Sequence, residues 1–175
     1  GIIRNLNTTK FGDVLRWSDV SEIHHVRNGI YHRNGRLISL LTDFGRINPC
    51  YPDFHGRTTN EIHYTGFGRR GDQKLNSSNQ ALLNAIESAH AVPLFNKLGV
   101  GRWEFQGMWR VAAGVYVFDE KQNRMLWKFT LLETNDWSAG ILACNAAFFS
   151  GVVLLKYRNM LRTLAGRPAF QSKSF

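Results

Sequence analysis

Two carboxylates in this chain have the residue types of a metal-dependent nuclease site. Pro52-Asp53 is followed along the chain by Glu61, and nucleases of this kind place two acids and a lysine around Mg²⁺. The lysine should come two residues after the second acid, but Glu61 is followed by Ile62 and His63. The pattern lacks one of its groups, so an endonuclease is an alternative interpretation and not the leading one.

The histidines and cysteines do not have the spacing of a metal site. None of the 6 histidines belongs to an H-x-x-x-H or H-E-x-x-H pattern. Cys50 and Cys144 show no C-x-x-C spacing, which argues against a zinc cluster or a disulfide framework and favours a reducing, intracellular setting. No Ser-His-Asp or Cys-His order compels a covalent mechanism. We therefore predict no metal, no cofactor and no catalytic activity of the chain's own.

A glycine-rich segment, Gly66-Phe67-Gly68-Arg69-Arg70-Gly71, has the form G-x-G-x-x-G. In a dinucleotide-binding fold this motif follows a buried apolar strand. Here the preceding Glu61-Ile62-His63-Tyr64 is polar, and no repeated βαβ units follow. We therefore interpret the segment as a tight turn that requires glycine, on which Arg69 and Arg70 would suit phosphate oxygens.

Charge and aromatic content favour a nucleic-acid ligand. The chain has 22 Lys and Arg against 13 Asp and Glu, a net charge of +9 spread along the sequence, which is typical of a folded basic face that meets phosphates. Aromatic side chains outside the core can stack on bases. Phe44, Tyr51 and Tyr64 are the candidates for such contacts. The core is predicted to take the aromatic residues of the later strands, namely Trp103, Trp109, Trp127 and Phe129.

The elements that would position these residues form an α+β domain. A helix is predicted over residues 76–90, because Asn76 or Ser77 can cap it and apolar residues recur at helical spacing. A loop of about 20 residues, 42–61, is long enough to predict a functional role. Strands are predicted from short runs broken by Gly, Asn and Pro, at residues 29–32, 37–41, 62–65, 92–95, 103–107, 109–118 and 124–132.

The two ends of the chain differ from this central body. Residues 1–27 predict an irregular or helical segment, with a short helix near 20–26 after Asp19. Residues 134–175 predict a helical extension or linker. Within it, the uncharged stretch 139–155 is at the short limit for a membrane span, so we expect a helix packed on the core or in a homodimer, and no membrane. The sequence starts Gly-Ile-Ile without Met, which suggests a piece of a longer protein.

A succession of motifs runs through the middle of the chain. His63-Tyr64-Thr65-Gly66 precedes Gly71-Asp72-Gln73-Lys74-Leu75 and then Asn79-Gln80-Ala81-Leu82. Later come Val92-Pro93-Leu94, the segment Phe105-Gln106-Gly107-Met108-Trp109-Arg110-Val111, and Leu126-Trp127-Lys128-Phe129. This order resembles the Y-T-G, D-Q-K-L, N-x-A-L, P-V-R and Y-D-G-x-Y-x-V motifs of SRA (SET and RING associated, YDG) domains. The compact glycine turn is most similar to SRA-like domains attached to HNH nucleases in bacterial modification-dependent restriction enzymes.

The resemblance implies a fold and a site for residues 28–133. The fold would be a PUA-like twisted β-barrel or mixed sheet with flanking helices. The function would be to bind double-stranded DNA and hold a flipped-out modified cytosine, of methyl or hydroxymethyl type, in an aromatic pocket. The implied pocket residues are Tyr64, Thr65, Tyr51, Asp53 and Phe44. The implied DNA-backbone contacts are Arg69, Arg70, Lys74, Gly66 and Gly68.

Two departures from the family pattern limit what the resemblance implies. Gln106 stands where the Y-D-G motif has its acid, and the long insertion that carries base-replacing residues in eukaryotic hemimethyl readers is absent before Asp72. Reading of hemimethylation is therefore not expected. The expected partners are modified duplex DNA and a nuclease domain in the same or another chain, in a bacterial cytoplasm. An RNA-binding PUA-like module is the other alternative.

Overall fold

In the computed structural model, which describes Leu6 and residues 8–134, one mixed sheet carries two helices. The strands are β1 (Val14–Leu15), β2 (Ile30–Arg33), β3 (Arg36–Thr42), β4 (Phe54–His55), β5 (Glu61–Thr65), β6 (Val92–Gly99), β7 (Arg102–Asp119) and β8 (Arg124–Glu133). The helices are α1 (Trp17–Val20) and α2 (Ser77–Ser88).

The strand order is β2-β3-β6-β7-β8-β5-β4, and β1 pairs with β7 outside this path. All neighbouring strands are antiparallel except β3 and β6, which run parallel. The order starts at β2 and ends at β4 without returning, so the sheet is open and does not close into a barrel. The predicted α+β class is confirmed, and of the two forms expected, a twisted barrel or a mixed sheet, the structure has the mixed sheet.

Helix α2 forms where the sequence predicts it. The Asn76 side chain accepts a hydrogen bond from the Asn79 backbone N–H at 2.9 Å and caps the first turn. Leu82, Leu83 and Ile86 are buried against the sheet, and burying such a side chain stabilises a fold by about 1.5–3 kcal/mol. Ala89 takes the left-handed conformation and ends the helix. The loop that precedes α2 is thereby fixed at one end.

Strand β7 corrects one sequence prediction. Residues 103–107 and 109–118 were expected to form separate strands, but one strand runs from Arg102 to Asp119. Gly107 has a φ of +87°, and the register with β6 shifts between Pro93 and Phe95. The glycine therefore bends a continuous strand at a bulge where the sequence suggested a break. The first half of β7 pairs with β6, and the second half pairs with β8.

The segment before β2 also differs from its prediction. The helix spans Trp17–Val20, not residues 20–26, because the Asp19 carboxylate accepts from the Arg16 backbone N–H at 3.2 Å and so lies inside the first turn. β1 pairs with β7. The buried residues form two separate clusters. One contains Leu82, Leu83 and Ile86 of α2. The other, the second core, includes Leu15, Val20, Leu41, Phe95, Trp103 and Phe105.

The predicted loop 42–61 is only partly irregular. β4 lies inside that loop and pairs with β5, so part of it is regular structure.

Neither helix in residues 8–134 is long and apolar enough to cross a membrane. The predicted helix over 139–155 lies outside the described residues, and the proposed domain division at residues 27 and 133 stays a prediction.

Candidate functional site

A cleft of about 590 Å³ opens where β3 and β5 end. Gly29, Leu41 and Tyr64 are among the residues that line it. One group of lining residues, which we call the polar wall, is Thr42, Tyr51, Asp53, Thr65 and Arg69. A second group, which we call the aromatic wall, is Trp17, Arg27, Lys97, Val100 and Trp103. The cleft therefore combines directional polar groups with rings and cations.

Asp53 is the buried acid of the polar wall. Its carboxylate accepts hydrogen bonds from the Thr42 hydroxyl at 2.7 Å and from the Thr65 backbone N–H at 2.6 Å. Burial raises the pKa of Asp53 from 3.8 to about 6, and both hydrogen bonds partly offset that rise. The carboxyl group is thus oriented by one donor on each oxygen, and each oxygen has the capacity to accept a further hydrogen bond.

Lys128 lies behind Asp53, and the sequence analysis did not select it. It sits on β8 opposite Thr65, and its ammonium group donates to the Thr65 hydroxyl and to the Pro52 carbonyl, each at 2.6 Å. Burial lowers the pKa of Lys128, while the nearby Asp53 carboxylate favours the charged form. The available signal was a lysine between Trp127 and Phe129 in a strand predicted to be buried, since buried lysines need partners.

Tyr64 lines the cleft and belongs to the main core, the buried cluster that also contains Leu82, Trp109, Trp127 and Phe129. Its side chain is 3% exposed, and its hydroxyl is 2.8 Å from the Leu41 carbonyl and 3.1 Å from the Gly29 carbonyl, to which it donates. A Cβ on Gly29 would lie 3.1 Å from the Tyr64 hydroxyl. The ring is therefore locked in place, with little free surface toward the cleft.

Tyr51 is only partly buried and is the more accessible ring of the two. Burial raises the pKa of the Tyr51 phenol, and the nearby Gly68 backbone partly offsets that rise. Phe44 does not join it: this residue lies outside the cleft lining, packs against the main core and stacks on His55 with ring centres 4.8 Å apart. The structure brings Tyr51, Asp53, Tyr64 and Thr65 together and places Phe44 elsewhere.

The glycine segment 66–71 is held by side chains from the motifs that follow it. Gln73 is buried and donates to the Gly66 and Gly68 carbonyls at 2.6 and 3.1 Å, and its own side-chain oxygen accepts from the Trp127 backbone N–H at 2.8 Å. A Cβ on Gly66 would lie 2.7 Å from the Trp127 Cβ and 2.6 Å from the Asn79 side-chain oxygen. Glycine is thus required here by a close approach of chains.

Phe67 is presented at the rim of the cleft by the same network. The Asn79 side chain accepts from the Phe67 backbone N–H at 2.7 Å and donates to the Phe67 carbonyl at 2.9 Å. The ring lines the cleft and is 37% exposed. Sequence reasoning treated this position as an unspecified residue of the glycine pattern, so it missed a ring that is free to contact a ligand.

Arg124 connects the two loops of the polar wall. Its guanidinium donates to the Gly68 and Gly71 carbonyls at 2.7 and 3.1 Å, and to the Cys50 carbonyl at 2.8 Å. Its side chain is 5% exposed. Because these carbonyls belong to the long loop and the glycine segment, one buried cation sets the distance between them. No local pattern marks this role, since the partners are more than 50 residues away.

The aromatic wall is a pair of rings with a cation on each. The Trp17 and Trp103 ring centres are 5.5 Å apart. Arg27 lies over Trp17 at 4.9 Å, and Lys97 lies over Trp103 at 5.7 Å, within the range of cation–π attraction. These cations were not among the predicted DNA contacts. Among the cations that were predicted to contact DNA, Arg69 lines the cleft, whereas Arg70 and Lys74 are exposed and lie outside its lining.

Other catalytic patterns are not assembled in the part of the chain that the structure describes. It contains no group of three His, Cys, Asp or Glu side chains that could hold a metal ion. β5, which precedes the glycine segment, pairs antiparallel with β4 and β8, unlike the parallel strand of a dinucleotide fold. Gln106 lies on β7, outside the cleft lining, and donates to the Glu104 carboxylate.

Comparisons with known proteins agree on one fold. Residues 24–135 match the family model described as "ScoMcrA-like, SRA domain". The SRA domain of SUVH5 in complex with hemimethylated CG DNA superposes with a TM-score of 0.62 at 22% identity, over 78% of this chain and 96% of that one. The modification-dependent restriction endonuclease TagI gives 0.63 at 18% identity, over 77% of this chain and 53% of its own. No curated protein sequence matches significantly.

Proposed function

Because the chain belongs to the ScoMcrA-like SRA domain family, we propose that it binds double-stranded DNA and holds one modified cytosine, rotated out of the duplex, in the cleft. SRA domains of SUVH5 have been solved with hemimethylated and with fully hydroxymethylated CG DNA, which supports a methyl- or hydroxymethylcytosine ligand. The similarity to TagI supports a role as the recognition module of a modification-dependent restriction system. In that role the nuclease domain lies elsewhere in the same chain or in a partner.

The observation that carries the proposal is the fixed, buried carboxyl group of Asp53, which lines the cleft. The Thr42 hydroxyl and the Thr65 backbone N–H hold it in place, and in the proposed complex one of its remaining lone pairs accepts from the base. The exocyclic amino group of cytosine is a donor, and a carboxylate is the acceptor that suits it. A thymine would bring a carbonyl oxygen to the same place, and that oxygen would repel the carboxylate.

The energy balance of such a complex is favourable. Extrusion of a base costs a few kcal/mol of lost stacking and pairing. Stacking on an aromatic ring such as Tyr51 or Phe67 returns about 1–3 kcal/mol, and a hydrogen bond to the charged Asp53 returns about 1.5–3 kcal/mol. The net charge of +9 adds attraction to the phosphates that does not depend on sequence.

A binding titration tests the proposal. Duplexes of one sequence carry cytosine, 5-methylcytosine or 5-hydroxymethylcytosine at one position, and an RNA duplex of the same sequence is added as a competitor. The wild-type chain should prefer a modified DNA duplex. Asp53→Asn should lower that preference by about 10-fold, because its amide cannot accept two donors and still face the base as a carboxylate does. The matched control is Glu120→Gln in the exposed β7–β8 turn, which should change nothing.

Two outcomes would contradict the proposal. Equal affinity for all three DNA duplexes would exclude a reader of modified cytosine, and stronger binding of RNA would favour the RNA-binding alternative.

The endonuclease alternative gains a lysine beside Asp53 but lacks a second free carboxylate. Lys128 lies beside Asp53, which supplies a lysine that the local sequence pattern does not. Asp43 also lines the cleft, but its carboxylate accepts from the backbone N–H groups of Gly45, Ile47 and Asn48. It is therefore a turn residue and not a metal ligand. We expect supercoiled plasmid to remain intact with the purified chain and Mg²⁺ or Mn²⁺.

A further inference from the structure

The ammonium group of Lys128 is engaged by groups of the protein itself. It donates to the Thr65 hydroxyl and to the Pro52 carbonyl, each at 2.6 Å, and it lies 5.2 Å from the centre of the Phe54 ring. These three contacts match the three N–H groups of an ammonium. Lys128 is also outside the cleft lining. Its effect on a ligand must therefore pass through the residues that it touches.

The Thr65 hydroxyl connects Lys128 to Asp53. An ammonium group is a donor only, so the Thr65 oxygen accepts from Lys128, and its own proton is available to another acceptor. That acceptor is the Asp53 carboxylate, which hydrogen-bonds the Thr65 side chain as well as the Thr65 backbone N–H. The three side chains therefore form a chain in which each hydrogen bond is donated toward Asp53.

Thr42 supplies a further donor to the same carboxylate. Its oxygen accepts from the Phe44 backbone N–H at 3.1 Å, and its hydroxyl donates to Asp53 at 2.7 Å. Together with the donors from Thr65, these groups stabilise Asp53 as an acceptor. A carboxylate has about four acceptor sites, so Asp53 keeps capacity for a donor on a ligand.

We infer that Lys128, by holding the Thr65 hydroxyl as a donor to Asp53, makes the cleft select a base with an amino group over a base with a carbonyl oxygen at the same position. The inference rests on the proposed function, and Lys128 is a positioning residue in it. Cytosine presents the amino group, and thymine or uracil presents the carbonyl. Without the ammonium charge, burial favours the protonated form of Asp53, which can donate to a carbonyl oxygen.

The test compares two modified bases that differ at this one position. Duplexes of one sequence carry 5-hydroxymethylcytosine or 5-hydroxymethyluracil opposite guanine, and the affinities of the intact chain are measured at neutral pH. Wild type should prefer the cytosine base. Lys128→Met should lower this preference by about 5- to 10-fold, because a hydrogen bond to an ionised group is replaced by one to a neutral group.

Two controls accompany this variant. Lys128→Arg keeps the positive charge and should keep the preference. Lys121→Met, at an exposed position of the β7–β8 turn, is the matched control and should change nothing. The mispair of the uracil base with guanine alters the cost of extrusion equally for every variant, so it cancels when the preferences are compared.

The pH dependence separates this role from a loss of packing. In Lys128→Met, burial still holds the pKa of Asp53 above its ordinary range, so raising the pH ionises the carboxyl group again. The preference of this variant should therefore return as the pH rises from about 7 to about 8.5, whereas that of wild type should change little. A packing defect would not recover in this way.

The other titratable groups near this chain of hydrogen bonds do not account for such a recovery. Burial raises the pKa of the Tyr51 and Tyr64 phenols above their ordinary value of 10.0, so both stay neutral over this range. Asp43, Asp119 and the histidines are the same in every variant. Their contributions cancel in the comparison.

Thr65→Val tests the same connection with Lys128 in place. It removes the hydroxyl and keeps the backbone N–H that donates to Asp53, so the preference should fall in the same direction, and Thr65→Ser should retain it. The double variant with Lys128→Met should lose no more than the more affected single variant, because both changes break one chain of hydrogen bonds.

The outcomes separate the role of Lys128 from the function on which it rests. If wild type prefers modified over unmodified cytosine and Lys128→Met keeps the wild-type preference over the uracil base, the inference is wrong and the reader function stands. If wild type does not distinguish modified from unmodified cytosine, both are wrong. A loss in Lys128→Met that persists at high pH, or losses that add in the double variant, would make Lys128 a structural residue only and would also overturn the inference.

Discussion

In the polar wall, Asp53 and Thr65 are held by short hydrogen bonds from Thr42, the Thr65 backbone and Lys128, whereas the aromatic wall has two rings that each lie under a cation. Hydrogen bonds are directional, so the polar wall can distinguish one base edge from another. Cation–π and phosphate contacts tolerate many geometries, so the aromatic wall can add affinity for any sequence. In the proposed complex, discrimination and affinity would therefore depend on different groups of residues in one cleft and should respond to different substitutions.

The largest effect should come from removing the connection within the polar wall. Arg124→Ala removes the donor to the carbonyls of Cys50 and Gly71 and one of the two donors to the Gly68 carbonyl, and hydrogen bonds to a charged group are worth about 1.5–3 kcal/mol each. We expect a loss of about 4 kcal/mol in the free energy of unfolding in urea. Arg102→Ala, at an exposed position, is the matched control. A loss below about 1 kcal/mol would mean that the two loops hold their positions without Arg124.

The next effect is a pH dependence of stability that belongs to Asp53. Its pKa is about 6 in the fold against an ordinary value of 3.8, so the folded state holds a proton that the unfolded state has lost between these pH values. The stability that this proton confers is full below about pH 4 and is lost as the pH rises through 6. From the size of the shift, the loss is on the order of 2–3 kcal/mol.

Urea unfolding at several pH values measures this loss through the difference between wild type and Asp53→Asn. His24 works in the opposite sense, because burial lowers its pKa from 6.5 to about 4, and the stability that its neutral ring confers rises with pH over that window. Both proteins carry His24, so its contribution cancels in the difference. A difference that stays flat from pH 4 to 7 would contradict a raised pKa for Asp53.

A smaller effect should follow from removing the accessible ring of the polar wall. Tyr51→Ala should lower affinity for the modified duplex by about 5- to 150-fold, the range for one base–aromatic stack of about 1–3 kcal/mol. Binding of the unmodified duplex should be nearly unchanged. Tyr64 offers a contrast, since it is buried in the core, and Tyr64→Ala should destabilise the fold and weaken all ligands together. Equal losses on both duplexes for Tyr51→Ala would place it outside the pocket.

The smallest effect on discrimination should come from the aromatic wall. Changing Arg27 and Lys97 together to Ala should weaken modified and unmodified duplexes alike. It should also reduce the slope of log affinity against log salt by about 1 for each phosphate that the protein no longer neutralises. The control is Arg36→Ala, at an exposed position outside the cleft lining. A selective loss on modified DNA would show that this wall reads the base after all.

The parts of this architecture that the sequence could predict are those fixed by local contacts. The cap at Asn76 and the apolar stripe of α2 lie within a few residues of one another, and β2, β3 and β5 are bounded by turn residues. The two-residue strands β1 and β4 were missed, although β1 pairs with the distant β7 and β4 pairs with β5, the next strand in the chain. Short strands carry too little periodicity to be detected alone.

In the candidate site as well, some residues could be predicted from the sequence and others could not. Tyr51, Asp53, Tyr64 and Thr65 could be proposed because motif order brings them near one another, although their roles remain predictions. Lys128 could not be linked to Pro52, since the two lie far apart in the chain and meet only through the β5–β8 register. Phe44 is not brought to the cleft. Its loop position suggested a base contact, but it follows Asp43 in a turn with a φ of +53°, stacks on His55 and lies outside the cleft lining, so its role stays a prediction.

The proposed extrusion of a modified cytosine is tested most directly by measuring whether this base leaves the duplex on binding. A duplex with 2-aminopurine next to the modified cytosine is titrated with the wild-type chain, and the same duplex without the modification serves as the control. Because 2-aminopurine fluoresces more strongly when its neighbour no longer stacks on it, extrusion should raise the signal at saturation on modified DNA only. Unchanged fluorescence at saturation on the modified duplex, with equal affinity for both duplexes, would contradict the account.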